Sequence, residues 1–419
     1  SLGTSYYNIG EKEQGAQSTA KAYELRVRVS ERERFYIESH YHAWVTGNLE
    51  KGRQGYELWA QTYPRDWVAH NNLGVTYFNF GQYDPALQEI SAALQLNPGD
   101  RLVNANIVNA HLYLNHLEDA KAAARQAQAK GLDSPFLRTL LYQIAFLEND
   151  TGGMAKQVVW SAGKPDVEDV LLAQEADTAA YSGHLSKARE FSDQAAAAAT
   201  QAHHKEAAAA YQAEAALREA LFGNTAEARQ RAVAALGLSS AREVMYGAAL
   251  ALAIAGDTSA VQVQVEKLAD DLAKRFPEDT LVGFNYLPTL HAQLALNRKN
   301  AVDALKILQT ASPCDLSTTA THFNFIGFYP VFVRGEAYLA AHRGSEAASE
   351  FQKIVDHRGI VANLPIGALA QLGLARAYAL DKQTDKARSA YGNFLSLWHE
   401  ADTDIPILKE AKAEFAKLQ

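Results

Sequence analysis

Thirteen histidines and a single cysteine are the obvious raw material for chemistry in this 419-residue chain, and their spacing is poor for it. His40 and His42 stand two apart, and His203 and His204 are adjacent. Neither pair shares one helical face, where side chains recur at three or four residues. His399-Glu400 lacks a second histidine four residues after the first, so a helical zinc pair fails. Cys314 is alone, which excludes an internal disulfide framework and a cysteine-rich metal site. Gly152-Gly153 is not followed by Lys-Ser or Lys-Thr, so it makes no phosphate loop. His357-Arg358-Gly359 lacks the aspartate of a catalytic His-Arg-Asp loop, and neither Asp-Phe-Gly nor a Gly-x-Ser-x-Gly elbow occurs. The expectation is a non-catalytic chain with no metal and no cofactor.

Composition narrows the partners. Hydrophobic residues make up 48% and charged residues 21%, a globular balance. A net charge of −8 argues against a broad phosphate-binding surface, so no nucleic acid is expected. No apolar run approaches the roughly 20 residues needed to cross a bilayer. The first residues, SLGTSYYNIG, have neither the basic start nor the apolar core of a signal peptide.

The elements that would carry a site are legible in the stretch from Asp66 to Asp100. Leu73, Gly74 and Tyr77 share one face of a first helix, Gly81 breaks it, and Ala86, Ile90 and Ala93 line a second helix. Small residues sit where the two helices must cross, with large ones beside them. This stretch resembles the tetratricopeptide repeat, a helix–turn–helix unit of about 34 residues, with His70 where that unit usually has Trp. The turn residue recurs as Gly47, Gly81, Asn115, Asn149 and Gly183, each 34 residues from the last. Gly and Asn reach left-handed backbone at least cost, which a helix end needs. Pro64 and Pro98 end second helices, and Gly223 and Gly256 mark later, looser turns.

The fold expected is an all-α, right-handed superhelical solenoid of about eleven antiparallel helix pairs, closed by a terminal helix from Asp404 to Gln419. It forms one domain over residues 1–419, with regular repeats to residue 202 and divergent ones from 203. Because Leu2-Gly3 and Tyr6 begin part-way into a repeat, the chain reads as a fragment of a longer protein.

Two candidate surfaces follow. Register places Tyr41, Trp44, Asn71, Phe78, Asn79, Asn109, Tyr113, Gln143, Asp177 and Tyr181 on the concave groove lined by first helices. Asn and Tyr suit an extended peptide backbone, and Trp and Phe offer apolar anchors, so a protein or peptide partner is expected. The Lys and Arg that grip a free carboxylate in some such grooves are missing. The second surface lies in two long connections, Phe276–Leu287 and Ser312–Pro330. Their aromatics, among them Tyr286, Phe323, Phe325 and Tyr329, either fill gaps between irregular repeats or form a second patch.

A more specific resemblance spans nearly the whole chain. AYELRVRVSERERFYIESHYH, YELWAQTYPRDWVAHNNLG, KRFPEDTLV, YPVFVRGEAYLAA and EFQKIVDHRGIV are similar to the C-terminal repeat region of bacterial, notably acidobacterial, serine/threonine protein kinases. That resemblance implies a sensory or partner-docking region, in a parent whose kinase domain and membrane helix precede the repeats. A related arrangement places such repeats behind a winged-helix DNA-binding domain. No catalytic residue carries over, since no kinase motif lies in this chain.

Overall fold

Three first helices begin on side-chain caps spaced at the repeat period. The carboxylate of Asp66 accepts from the amide of Val68, that of Asp100 from Leu102 and Val103, and the hydroxyl of Ser134 from Leu137. The helices so started run Trp67–Asn79, Arg101–Tyr113 and Pro135–Leu147. Each is followed by a left-handed residue, Gly81, Asn115 or Asn149, at φ 68, 58 and 58°. Second helices follow at Tyr83–Leu96, Leu117–Ala129 and Thr151–Ser161. Within one unit the crossing is close: a Cβ on Gly74 would lie 2.5 Å from Cγ1 of Ile90.

The computed structural model describes all residues except Ser1, Asp166, Asp257, 319–327 and Gln419. Among the described residues the chain is helical throughout and has no strand, an all-α repeat solenoid in which antiparallel helix pairs stack on their sequence neighbours. Pro406–Ala416 is the last helix, packed on Thr384–Leu397. No described helix is long and apolar enough to cross a membrane.

The alanine-rich middle packs tightly. Lys205–Leu221 is buried along nearly its whole length, with Ala207–Ala210, Ala213 and Ala216 against its neighbours. Its buried charges are matched: Arg218 donates to Asp177 at 2.6 Å and to the Ser192 hydroxyl, and Arg189 pairs with Glu219.

Beyond the repeat itself, the solenoid coils back onto itself. The amide of Thr318 donates to the Phe78 carbonyl at 3.2 Å, and the Tyr83 hydroxyl donates to the Leu316 carbonyl. Asn115 donates to the Asp356 carbonyl and accepts from the Gly359 amide. Asp402 donates to the Gly183 carbonyl, and Ile407 to that of Phe222. The long connection Phe276–Leu287 and the described start of the other, residues 312–318, lie on this seam, seated on the turns at Gly47 and Gly81.

Candidate functional site: a walled cavity inside the first coil

Trp44 stands in a wide, π-helical turn, Tyr41–Val45, where the amide of Thr46 reaches back five residues to the Tyr41 carbonyl. One indole face stacks on Tyr7, with ring centroids 4.2 Å apart and planes 8° apart. His40 meets it edge-on at 4.3 Å, and burial holds that imidazole neutral by lowering its pKa to about 4. The next first helix supplies Asn71, Phe78 and Asn79, and the one after it Asn106, Asn109 and Tyr113. The Asn106 amide donates to Asn71 Oδ1 at 2.9 Å, both side chains buried. Asn109 is 5% exposed, and its Oδ1 is buried without a hydrogen-bond partner.

The far wall comes from the later coil. Arg242, Asp279 and Leu281 close a cavity of about 550 Å³, with Lys12 at its edge. The charges there are spent on one another: Arg242 pairs with Glu243 and Asp279, and Lys12 Nζ lies 2.9 Å from Glu243. Burial alone would raise the Glu243 carboxyl, but the Arg242 and Lys12 cations outweigh it and hold the acid well below the usual carboxylate range. Apart from Arg101, the cavity thus presents mainly neutral amides and aromatic faces. Its size is that of a compact ligand pocket, about 300–1,000 Å³.

Six of the ten groove residues expected from register line this one cavity: Trp44, Asn71, Phe78, Asn79, Asn109 and Tyr113. The other four do not. Tyr41 stacks on Tyr23 at 3.8 Å. Gln143 donates to Gln174, and Asp177 is the buried partner of Arg218. Tyr181 packs edge-on against Phe146 and lies beside Gly367. In that region the chain's own later coil fills the space, with Asn363 donating to the Gln174 carbonyl and the Thr178 hydroxyl. The continuous groove expected over Tyr41–Tyr181 is therefore cut short after Tyr113.

The second expected patch is not presented as a surface by its described members. Tyr286 is 1% exposed and stacks on Tyr246 at 3.9 Å, and Tyr329 is buried in the core. Phe323 and Phe325 lie outside the described residues. Burial also pushes the Cys314 thiol up to about 11, leaving it protonated at neutral pH.

Sequence reasoning missed Tyr7, Asn106, Arg242 and Asp279. Asn106 was findable, because it stands 34 residues after Asn72 on the matching helix. Arg242 and Asp279 carry no such signal, since they reach the cavity only through the coiling of the chain.

No protein-family model matches the sequence, and neither does any curated protein. Similar solved structures are helical-repeat proteins. They include a tetratricopeptide repeat protein from Parabacteroides merdae, at 12% identity over 83% of this chain and 98% of that one, with a TM-score of 0.28. The TPR domain of P58(IPK) is 14% identical over 93% and 98%, with a TM-score of 0.26. Yeast Tom70 is 14% identical over 92% and 95%, with a TM-score of 0.31.

Proposed function

We propose that this chain is a non-catalytic binding scaffold that takes a short segment of a protein partner into the cavity of its first coil. The observation that carries this reading is that Asn109 lines the cavity while its Oδ1 is a buried acceptor without a hydrogen-bond partner. A backbone N–H from an extended peptide satisfies it, and the unmet desolvation of that oxygen is then recovered on binding. Trp44, Trp67 and Phe136 in the same wall take apolar side chains, and such anchors each contribute about 2 kcal/mol or more when covered. The paired state of Arg242, Lys12, Glu243 and Asp279 favours a segment without a charge at its centre.

The setting of this scaffold is part of the proposal. Similarity to the repeat region of bacterial serine/threonine kinases supports a docking or sensory role in a signalling protein. A regulatory repeat region behind a winged-helix domain is the second setting. Reading the open reading frame upstream of Ser1 separates the two. The binding claim is tested by screening a library of short peptides with the intrinsic fluorescence of Trp44 and Trp67 as readout. Hits whose affinity falls at least tenfold with Asn109→Ala support it; hits indifferent to both Asn109→Ala and Trp44→Ala refute it.

A further inference from the structure

A cluster of metal-ligating side chains lies outside the cavity, at the turn between Arg101–Tyr113 and Leu117–Ala129. His111 stands in the last turn of the first helix, His116 caps the second, and Asp119 follows one turn later. One ligand atom from each lies within 4.8 Å of the others. The two imidazole centroids are 6.1 Å apart with planes tilted by 42°. The pattern is invisible as a helical motif, because the five-residue step from His111 to His116 spans a turn rather than one helical face.

We propose that His111, His116 and Asp119 form a binding site for a divalent transition-metal ion of the zinc class. Two imidazoles and one carboxylate are a sufficient protein ligand set for zinc, with the remaining position left to water. The donor types also suit nickel or cobalt, whereas calcium and magnesium take oxygen ligands.

Two further observations favour the site. The Nδ1 atom of His111 is buried and has no hydrogen-bond partner, so that ring has capacity unspent on the protein. The backbone between the ligands is held firmly. Asn115 sits at φ 58°, and its amide is tied to the Asp356 carbonyl at 2.9 Å and the Gly359 amide at 2.7 Å.

Occupancy would also bridge the two helices of one unit where the later coil rests on it. Metal binding then stabilises the seam as well as the repeat.

The test uses the full chain with any affinity tag removed. Zinc is titrated calorimetrically into wild type, His116→Ala, Asp119→Asn and a His203→Ala/His204→Ala control. His116 makes no side-chain cap bond, so its loss leaves the apo fold intact, which thermal melting without metal verifies. The expected result is one zinc per chain in wild type and in the control. Binding should be at least tenfold weaker in each ligand variant, and a zinc-induced rise in melting temperature should disappear with it. No zinc bound by wild type, or binding by His116→Ala and Asp119→Asn as tight as by wild type, overturns the assignment.

Discussion

The carbonyl of Gly47 accepts a hydrogen bond from the amide of Thr280 at 3.0 Å, while the Thr280 hydroxyl accepts from the amide of Leu49 at 3.1 Å. One residue at a left-handed turn is thereby latched to a connection more than two hundred positions along the chain. The same carbonyl latch recurs at Gly183, which accepts from Asp402; Asn115 fastens through its side-chain amide, and at Gly81 the flanking Phe78 carbonyl and Tyr83 hydroxyl make the bonds. Turn residues chosen for backbone freedom are thus also the surface on which the second coil seats.

That double duty separates two glycines of equal conformation. Gly81 and Gly131 have φ of 68 and 69°, so alanine at either costs roughly 1 kcal/mol in backbone strain. A Cβ on Gly131 meets nothing within 4 Å, whereas one on Gly81 would lie 2.8 Å from the Leu316 backbone carbon. Gly81→Ala is expected to cost a further 1–3 kcal/mol or so over Gly131→Ala, as an overpacked contact does. Equal denaturation midpoints for the two variants would show that the latch adds nothing.

Asp177 is expected to act as a structural counter-ion. Arg218 is 6% exposed and Asp177 2%, so Asp177→Ala removes the ion-pair partner of a buried guanidinium and leaves it the Ser192 hydroxyl among its recorded side-chain acceptors in the described residues. The loss should be about 3–5 kcal/mol. The double variant Asp177→Leu/Arg218→Met should recover most of it. A cycle in which the two substitutions add independently would contradict the pairing.

Glu206 makes the contact between the first repeat and the middle of the chain sensitive to pH. It accepts from the Glu13 amide at 3.1 Å, and its own amide donates to Glu11. Burial pushes its carboxyl up from 4.5 to about 7, against the pull of Lys12 and with the repulsion of Glu243 and Glu11. A raised folded-state pKa means that the folded form holds the proton more tightly. Its contribution is complete below about pH 4.5 and is lost as pH rises through about 7. Glu243 has the opposite sign, but its depressed carboxyl stays ionised throughout this window. Buried His40, whose pKa is lowered to about 4, contributes with the opposite sign in this window, so the Glu206 share is read by difference: denaturant titrations should find Glu206→Gln gaining stability relative to wild type as pH rises from 5.5 to 8. A Glu206→Gln profile parallel to wild type would be the contrary result.

Asn109→Ala should separate stability from binding. Removing a buried oxygen that has no partner relieves a desolvation cost, so the free protein should melt within about 0.5 kcal/mol of wild type or slightly above it. Peptide affinity should nevertheless fall. A variant destabilised by several kcal/mol would mean that Asn109 is held by the fold and does not await a ligand.

The solenoid was readable because its signals are local and repeated. Five turn residues at one spacing, caps at Asp66, Asp100 and Ser134, and small residues at the helix crossings all follow from the geometry of a single unit. The later turns were harder to read. Lys299, His342 and Lys382 take the left-handed position there, a conformation that their side chains do not advertise. The site was half legible for the same reason. Trp44 and Phe78, and Asn79 and Tyr113, stand one repeat apart on first helices, but Arg242, Asp279 and Asn363 arrive from another coil. Nothing periodic in the sequence encodes which coil meets which, so an open groove was expected where the structure has a walled cavity followed by a filled stretch.

An array of helix pairs that touches only its neighbours lengthens like a soft spring, because each unit tilts a little and no long-range contact is lost. The latches at Gly47, Gly81, Asn115 and Gly183 remove that compliance. Pulled along its axis, the chain should resist until these fastenings give way, and because Asp279 lines the cavity beside the Gly47–Thr280 latch, parting that latch should also open the cavity.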